Sequence, residues 1–165
     1  MPLFLLIAVV VFADSGLPIF YIQWRTGLNR KAFRIFKFRT IKHGRVTRVG
    51  RYLRKTGLDE SAQWINVLRG EMSIVGPRPL TPDDIERLGW NQRKMDRRFF
   101  LKPGITGLAQ LYGGIGERWT QVMERTYGMH AGVWLDLRIV TWSLAVNVFG
   151  KPRVRQYLLS KVGRN

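Results

Sequence analysis

The sequence contains no cysteine, which excludes disulfide bonds and thiolate metal sites. It has only two histidines; His43 lies in a basic turn and His130 stands alone, so neither points to catalysis. Acidic residues are also scarce, with 11 Asp and Glu against 28 Lys and Arg and a formal net charge of +17. Such a surplus predicts an anionic partner: nucleic acid, an anionic membrane face or a phosphorylated substrate.

The sequence lacks an unbroken apolar run that is long enough to cross a membrane. The run Pro2 to Ala13 would form a helix of about 18 Å, well short of a hydrocarbon core of about 30 Å. Apolarity alone fits a buried core helix and a membrane-inserted, re-entrant helix equally. The basic residues downstream favour the membrane, since they would face anionic headgroups; they are Arg25, Arg30, Lys31, Arg34, Lys37, Arg39 and Lys42.

A second apolar stretch, Val133 to Phe149, contains Asp136 and Arg138. Charges at mid-bilayer are costly, so a core or interfacial helix fits better than a membrane span. Asp136, alone in apolar company, must find a cation, a metal ion or a hydrogen-bond network.

The central stretch, Thr56 to Pro79, carries the chemistry. Thr56 and Gly57 predict a helix start with Asp59 and Glu60 in its first turn. A polar stripe of Asp59, Gln63 and Asn66 follows at helical spacing. Gly70 is expected to end this helix, and Met72 to Val75 predicts a short strand. Arg78 then stands between two prolines, so a stiff backbone presents its side chain, which suits a phosphate.

The other segments predict a mixed architecture. Ala32 to Thr40 alternates as a strand with basic residues opposite Phe33 and Ile35, and Leu17 to Trp24 fits an edge strand or an extended link. Thr81 caps a short helix, and Trp119 to Tyr127 is predicted to be helical. Arg93 to Arg98 is expected to be a solvated or headgroup-facing surface. Cations around the acid pair are expected to keep both carboxylates ionised.

Four ordered blocks resemble the bacterial sugar transferases, the monotopic phosphoglycosyl transferases that initiate polysaccharide and glycoconjugate assembly. The blocks are Lys37 to Thr40, Leu58 to Glu60, Asn66 to Leu80 and Lys102 to Gly107. The resemblance extends from about Pro2 to about Phe149, and its central block is long enough to be specific.

The resemblance implies transfer of a sugar 1-phosphate from a UDP-sugar to a polyprenyl phosphate with release of UMP. Asp59 would be the nucleophile of a phosphosugar-aspartyl intermediate, and Glu60 would assist in metal binding or proton transfer. Asp59 and Glu60 would both contribute to binding Mg²⁺. The substrate-binding residues would be Lys37, Arg39, Arg78, Lys102 and Asp136.

The expected fold is a single α+β domain over residues 1–165, mostly helical, with a small sheet. Residues 1–16 would be a membrane-associated, re-entrant-type segment, 17–150 the catalytic core and 151–165 a basic tail that faces the membrane or is disordered.

The resemblance places the protein on the cytoplasmic face of the bacterial inner membrane, with a nucleotide sugar, a polyprenyl phosphate and the membrane surface as partners. It also implies an upstream half of the re-entrant hairpin, and truncation, a misplaced start or real divergence would each explain why this half does not precede Met1. The segment Tyr112 to Gly116 replaces a loop that carries an arginine in the family, and Arg118 is the candidate substitute.

A second hypothesis is a non-catalytic basic protein, or an inactive truncated relative, that binds membranes or nucleic acid. Alternating arginines and aromatic residues, as in Ala32 to Thr40, also occur on single-stranded nucleic-acid platforms. No nucleic-acid-binding motif accompanies them, so no nucleic acid is expected as a partner.

Overall fold

The computed structural model describes residues 2–91, 93–112 and 116–162, without the side chains of 93–96, 151, 161 and 162. The glycine-rich segment that replaces the arginine loop therefore lies largely outside the described residues. Within them, the chain is mostly helical, with three two-stranded sheets rather than one small sheet. The α+β prediction is confirmed. In the described part of the chain, no helix combines the length and apolarity that a bilayer crossing would require.

The N-terminal part is a helix packed on a β-hairpin. Helix α1 (Pro2–Ser15) buries Ile7 and Val11 against Phe38, Leu53 and Ala62. Strands β1 (Phe20–Thr26) and β2 (Ala32–Phe38) pair antiparallel, so Leu17 to Trp24 is part link and part strand. Most other apolar side chains of α1 remain exposed; they are Leu3, Leu5, Leu6, Val9, Val10 and Phe12.

The segment around the acid pair differs from the prediction. Thr56 ends helix α2 (Arg48–Thr56) instead of starting a helix, and Thr47 caps the start of α2 by accepting a hydrogen bond from the Gly50 N–H. Gly57 ends α2 with φ 71°, in the left-handed region that glycine enters without penalty. The residues Leu58–Gln63 then form a 3₁₀ helix, which leads directly into α3 (Trp64–Leu68). The acid pair does occupy a first turn, as predicted, but the turn is a 3₁₀ turn.

Two short parallel strands join the central block to the Lys102 to Gly107 block. Strand β5 (Ser73–Val75) pairs with β6 (Gly104–Thr106), at the position of the predicted strand. A side chain at Gly76 or Gly104 would overlap the backbone of the facing segment. The two loops therefore pack backbone against backbone, which brings the segment that carries Arg78 close to β6.

The remaining elements are short hairpins and helices. The predicted N-cap of α4 (Pro82–Arg87) is present. It is part of a capping box, in which the side chains of Thr81 and Asp84 each accept a hydrogen bond from the other residue's backbone N–H. Helix α7 (Val133–Phe149) leaves half of its apolar residues exposed and buries Ile139. The predicted tail is helical through Val162, so its disordered interpretation is wrong for these residues. The bounds are β3 (Ile41–Lys42), β4 (Arg45–Val46), α4 (Pro82–Arg87), a 3₁₀ helix (Arg93–Phe100), α5 (Leu108–Tyr112), α6 (Glu117–His130), α7 (Val133–Phe149) and α8 (Lys151–Val162).

Candidate active site

The acid pair meets a lysine from the hairpin. Lys37 Nζ lies 2.7 Å from Glu60 Oε1, and both side chains are partly buried. Lys37 is near the end of β2, and β2 packs on the 3₁₀ helix formed by Leu58–Gln63. Asn66 fixes this packing, because its side chain accepts the Phe36 N–H and donates to the Arg34 carbonyl. The predicted polar stripe therefore splits in function: Asn66 holds the strand, whereas the acid pair lines the cavities.

Two cavities border the acid pair, and a third adjoins one of them. The outer cavity, of about 530 Å³, is lined by Tyr21, Arg25, Lys37, Arg39, Arg54 and Asp59, among others. The central pocket, of about 30 Å³, is lined by Arg25, Lys37, Glu60, Gln63, Arg78 and Gln110, among others. The far cavity, of about 400 Å³, shares Arg78 and Gln110 with the central pocket. Although the two acids are adjacent in the sequence, Asp59 lines the outer cavity and Glu60 lines the central pocket.

The 3₁₀ geometry explains part of this arrangement. With about three residues per turn, side chains at i and i+3 project from the same side of the helix. Glu60 and Gln63 are such a pair, and both line the central pocket. An α-helix would have placed Gln63 with Asp59, as the sequence interpretation does.

Burial raises the pKa of the Asp59 carboxyl, and the neighbouring charge of Glu60 raises it further. Lys37 and Arg54 act in the opposite direction, but they do not outweigh the first two effects. The surrounding cations therefore do not dominate the pKa of this carboxyl, and the expectation that it stays ionised stays a prediction. Loss of solvent is the larger influence at this position.

Arg78 is held by its backbone from both sides. Its N–H donates to Glu124 Oε1 at 3.0 Å, and its carbonyl accepts a hydrogen bond from Arg98 Nη2. Glu124 is 1% exposed and Arg98 is 5% exposed, so the prediction of a solvated surface is wrong for Arg98. Burial raises the pKa of Glu124, against the Arg98 charge and the Arg78 N–H that lower it. The Arg78 side chain stays exposed and lines two of the cavities.

The contact between Arg98 and Glu124 is electrostatic rather than a hydrogen bond. Arg98 Nε lies 3.9 Å from Glu124 Oε2, and neither atom has a hydrogen-bond partner among the described residues. The Arg98 guanidinium also lies over the Trp90 ring, 4.8 Å from its centroid. Arg98 and Glu124 therefore form a buried clamp around the Arg78 peptide, which we call the Arg78 clamp.

The sequence of this chain is similar to those of known proteins. The sequence model of the family described as bacterial sugar transferase matches residues 1–150. The chain belongs to the bacterial sugar transferase family. It is 34% identical to an undecaprenyl-phosphate glucose phosphotransferase of Komagataeibacter xylinus, over 91% of this chain and 33% of that protein. It is 38% identical to a UDP-glucose:undecaprenyl-phosphate glucose-1-phosphate transferase of Xanthomonas campestris pv. campestris, over 91% of this chain and 35% of that protein. The chain thus spans about a third of the length of these relatives.

A shorter relative is matched over more of its length. The chain is 39% identical to the uncharacterized sugar transferase EpsL of Bacillus subtilis (strain 168), over 79% of this chain and 70% of that protein. The family match ends at residue 150. Helix α8 therefore lies beyond the part of this bacterial sugar transferase that the family model covers.

Of the predicted substrate-binding residues, Lys37 and Arg78 lie with the acid pair, and the others have different surroundings. Arg39 lines the outer cavity, but its guanidinium donates to the carbonyls of Ser15, Gly16 and Leu17 at the end of α1. Lys102 is exposed, beside Gly70. Asp136 accepts a hydrogen bond from Tyr127 Oη at 2.8 Å, which is the network its apolar surroundings require. Neither Lys102 nor Asp136 lines any of the three cavities.

Four residues that line the site were missed by the sequence interpretation. Arg25 lines both the outer cavity and the central pocket, with its Nη2 2.6 Å from Gln23 Oε1, instead of facing headgroups. Arg54, Gln63 and Gln110 line the cavities as well. Arg54 lies in the last turn of α2, so a helical projection of the sequence could have indicated its direction. Arg25 is one of many similar cations, and only the tertiary packing shows that it lines the site.

The donor chemistry of the acid pair fits Mg²⁺. No cluster of three or more Asp, Glu, His or Cys residues is present within the described ranges. Mg²⁺ commonly takes one or two protein carboxylates and completes its shell with substrate phosphates and water. Asp59 and Glu60 could supply such a pair, with room for a phosphate in the outer cavity. The candidate metal ligands are therefore the predicted ones, Asp59 and Glu60.

Proposed function

We propose that this domain transfers a sugar 1-phosphate from a UDP-sugar to a polyprenyl phosphate, of the undecaprenyl type named for its relatives, and releases UMP. The main support is the position of Asp59 at a cavity that it shares with Lys37, Arg25 and Arg54. A carboxylate among cations in a cavity of this size can attack a phosphate whose charge the cations neutralise.

The reaction would proceed in two displacements at one phosphorus atom. A carboxylate oxygen of Asp59 attacks the phosphorus that bears the sugar, and the bond from this phosphorus to the bridging oxygen of the diphosphate breaks. UMP leaves with that oxygen and its electron pair. An oxygen of the polyprenyl phosphate then attacks the same phosphorus and displaces Asp59, which regains its carboxylate.

The side chains around Asp59 would bind and orient the diphosphate. Lys37 and Arg25 line both the outer cavity and the central pocket, so their charges can act on both phosphates. Arg78 reaches the central pocket from a fixed backbone. Mg²⁺, held by Asp59 and Glu60, would supply further neutralisation of the phosphate charge. Positioning and neutralisation account for most of the catalysis of phosphoryl transfer.

The lipid phosphate would enter from the side of α1. Arg39, which lines the outer cavity, also binds the last carbonyls of α1. The exposed apolar face of α1 is thus tied to the cavity that contains Asp59. A headgroup-level phosphate could reach Asp59 while the face of α1 contacts lipid.

A direct assay tests the reaction. Purified protein with a UDP-sugar, undecaprenyl phosphate and Mg²⁺ is expected to release UMP and form a lipid-linked diphosphate sugar, both measured by chromatography and mass spectrometry. Omission of undecaprenyl phosphate should limit UMP to about one equivalent per protein, because the covalent intermediate cannot turn over. Release of UDP in place of UMP would contradict the proposal. Tight, salt-sensitive binding of RNA or DNA without any UMP release would favour the non-catalytic hypothesis.

The membrane contact of α1 can be tested separately. Leu6 is 60% exposed on α1, and burying one leucine contributes about 1.5–3 kcal/mol. Leu6→Asp is therefore expected to weaken binding to liposomes that contain anionic lipid by about ten-fold or more. Leu68→Asp, at an exposed leucine outside α1, is the matched control and should bind as the unmodified protein does. Equal loss of binding in both variants would contradict a specific role for α1.

A further inference from the structure

The far cavity is not used by the mechanism so far. Its walls include Leu80, Leu88, Trp90 and Ala109, and it meets the central pocket at Arg78 and Gln110. Its volume of about 400 Å³ falls within the about 300–1,000 Å³ of pockets that bind small molecules. The central pocket, at about 30 Å³, has little more than the space of one water molecule.

Two buried polar atoms at the walls of this cavity lack partners. Trp90 is 0% exposed, and its indole Nε1 has no hydrogen-bond partner in the described part of the chain. The same holds for the buried Gln110 Oε1. One atom is a donor and the other is an acceptor. Since buried polar groups are normally paired, a ligand that offers a complementary acceptor and donor would satisfy these two once a small side-chain movement exposes them.

The order of the cavities determines which part of the substrate could lie there. Asp59 lines the outer cavity, the central pocket comes next, and the far cavity is reached through Arg78 and Gln110. In phosphoryl transfer the attacking and leaving groups lie in line on opposite sides of the phosphorus. The leaving nucleoside monophosphate must therefore point away from Asp59, toward Arg78 and the far cavity.

We propose that the far cavity binds the nucleoside of the donor substrate, with its base between Leu80, Leu88 and Trp90 and its polar edge at Trp90 Nε1 and Gln110 Oε1. This inference rests on the proposed function. The apolar part of the wall, with an unpaired donor and an unpaired acceptor beside it, suits a heteroaromatic base. A sugar would place hydroxyl groups against the same leucines and leave them unpaired, which is costly. Arg87, a further lining residue, is engaged by Asp84 and Glu117, so the charge that meets the phosphate is that of Arg78.

The experiment measures binding of two probes, UMP and inorganic pyrophosphate, by calorimetry, which requires no turnover. Gln110→Leu removes one polar group with little change in volume, and Trp90→Phe removes the indole N–H together with the five-membered part of the ring. Each is expected to weaken UMP binding by about 3- to 10-fold, the effect of one lost hydrogen bond. Trp90→Phe, at a residue that does not line the central pocket, is expected to leave pyrophosphate binding unchanged. Gln156→Leu, the same substitution at an exposed position of α8, is the matched control, and thermal melting confirms that each variant is folded.

The outcomes separate this inference from the reaction. If UMP binds the unmodified protein and the two variants equally, the far cavity does not hold the nucleoside. If the variants instead change the discrimination between UDP-sugars that differ only in the sugar, without an effect on UMP, the cavity binds the sugar and the inference is overturned. If the unmodified protein binds UMP and the variants weaken it, yet no UMP is released from any UDP-sugar tested, the nucleotide site stands and the reaction is wrong.

Discussion

Asp59→Asn is expected to lower UMP release by at least about a thousand-fold, because an amide cannot replace a carboxylate nucleophile. The substitution keeps the size of the side chain, and Asp59 lines a cavity rather than the packed core. The fold should therefore persist. The decisive measurement is made without undecaprenyl phosphate, where the unmodified protein gives one burst of UMP and gains the mass of a sugar phosphate. Asp59→Asn should give neither the burst nor the added mass.

Asp83→Asn serves as the control, because Asp83 is an exposed first-turn acid of α4. It should leave the burst and the added mass unchanged. Equal release of UMP by Asp59→Asn and the unmodified protein would make the nucleophile assignment wrong. A burst that disappears only in Glu60→Gln would transfer the role to the neighbouring carboxylate.

Glu124→Ala is expected to lower the free energy of unfolding by about 3–5 kcal/mol, since it leaves Arg98 buried without its counter-charge. It also removes the acceptor of the Arg78 N–H. The loss is large against a typical total stability of about 5–15 kcal/mol. Urea unfolding measures it. Glu86→Ala, at an exposed position of α4, should change stability by less than about 0.5 kcal/mol.

Glu124→Gln tests the clamp when the alanine variant is too unstable to assay. The amide keeps an acceptor for the Arg78 N–H but removes the charge that faces Arg98. We expect slower UMP release, with an effect that is smaller when Arg78→Lys is already present, because both substitutions act through one side chain. If Glu124→Gln slows release by the same factor in both backgrounds, the clamp does not act through Arg78.

Local signals in the sequence predict much of the fold. The alternation of β2, the N-cap of α4 and the unbroken apolar run of α1 are local patterns, and the structure has all three elements. The start of the acid-pair helix was misplaced because Gly57 separates two helices, α2 and the 3₁₀ helix. Threonine followed by glycine can mark the start of a helix, with threonine as the N-cap, or the end of a helix, with glycine in the left-handed region. The sequence does not distinguish these two cases, and here Thr56 is the last residue of α2.

The sequence could group the residues of the candidate site only where they lie close together in the chain. Asp59 and Glu60 are adjacent, and the braced position of Arg78 follows from Pro77 and Pro79. The contact of Lys37 with Glu60 needs the hairpin to pack on the 3₁₀ helix. The Arg78 clamp was missed because Arg98 occurs in a charged run that is typical of a surface. Its burial depends on Trp90 and Glu124, which lie in separate elements.

The Arg78 clamp also has a consequence for the order in which the chain can assemble the site. Lys37 and Glu60 are 23 residues apart, whereas the Arg78 N–H and Glu124 are 46 residues apart. Contacts between distant residues cost more loop entropy and tend to form later. Because the chain is synthesised from the N-terminus, the acid pair and Lys37 are available before α6 is made. The Arg78 backbone becomes fixed only when α6 has been synthesised and packed, so the pocket that Arg78 lines is completed after the contact of Lys37 with Glu60.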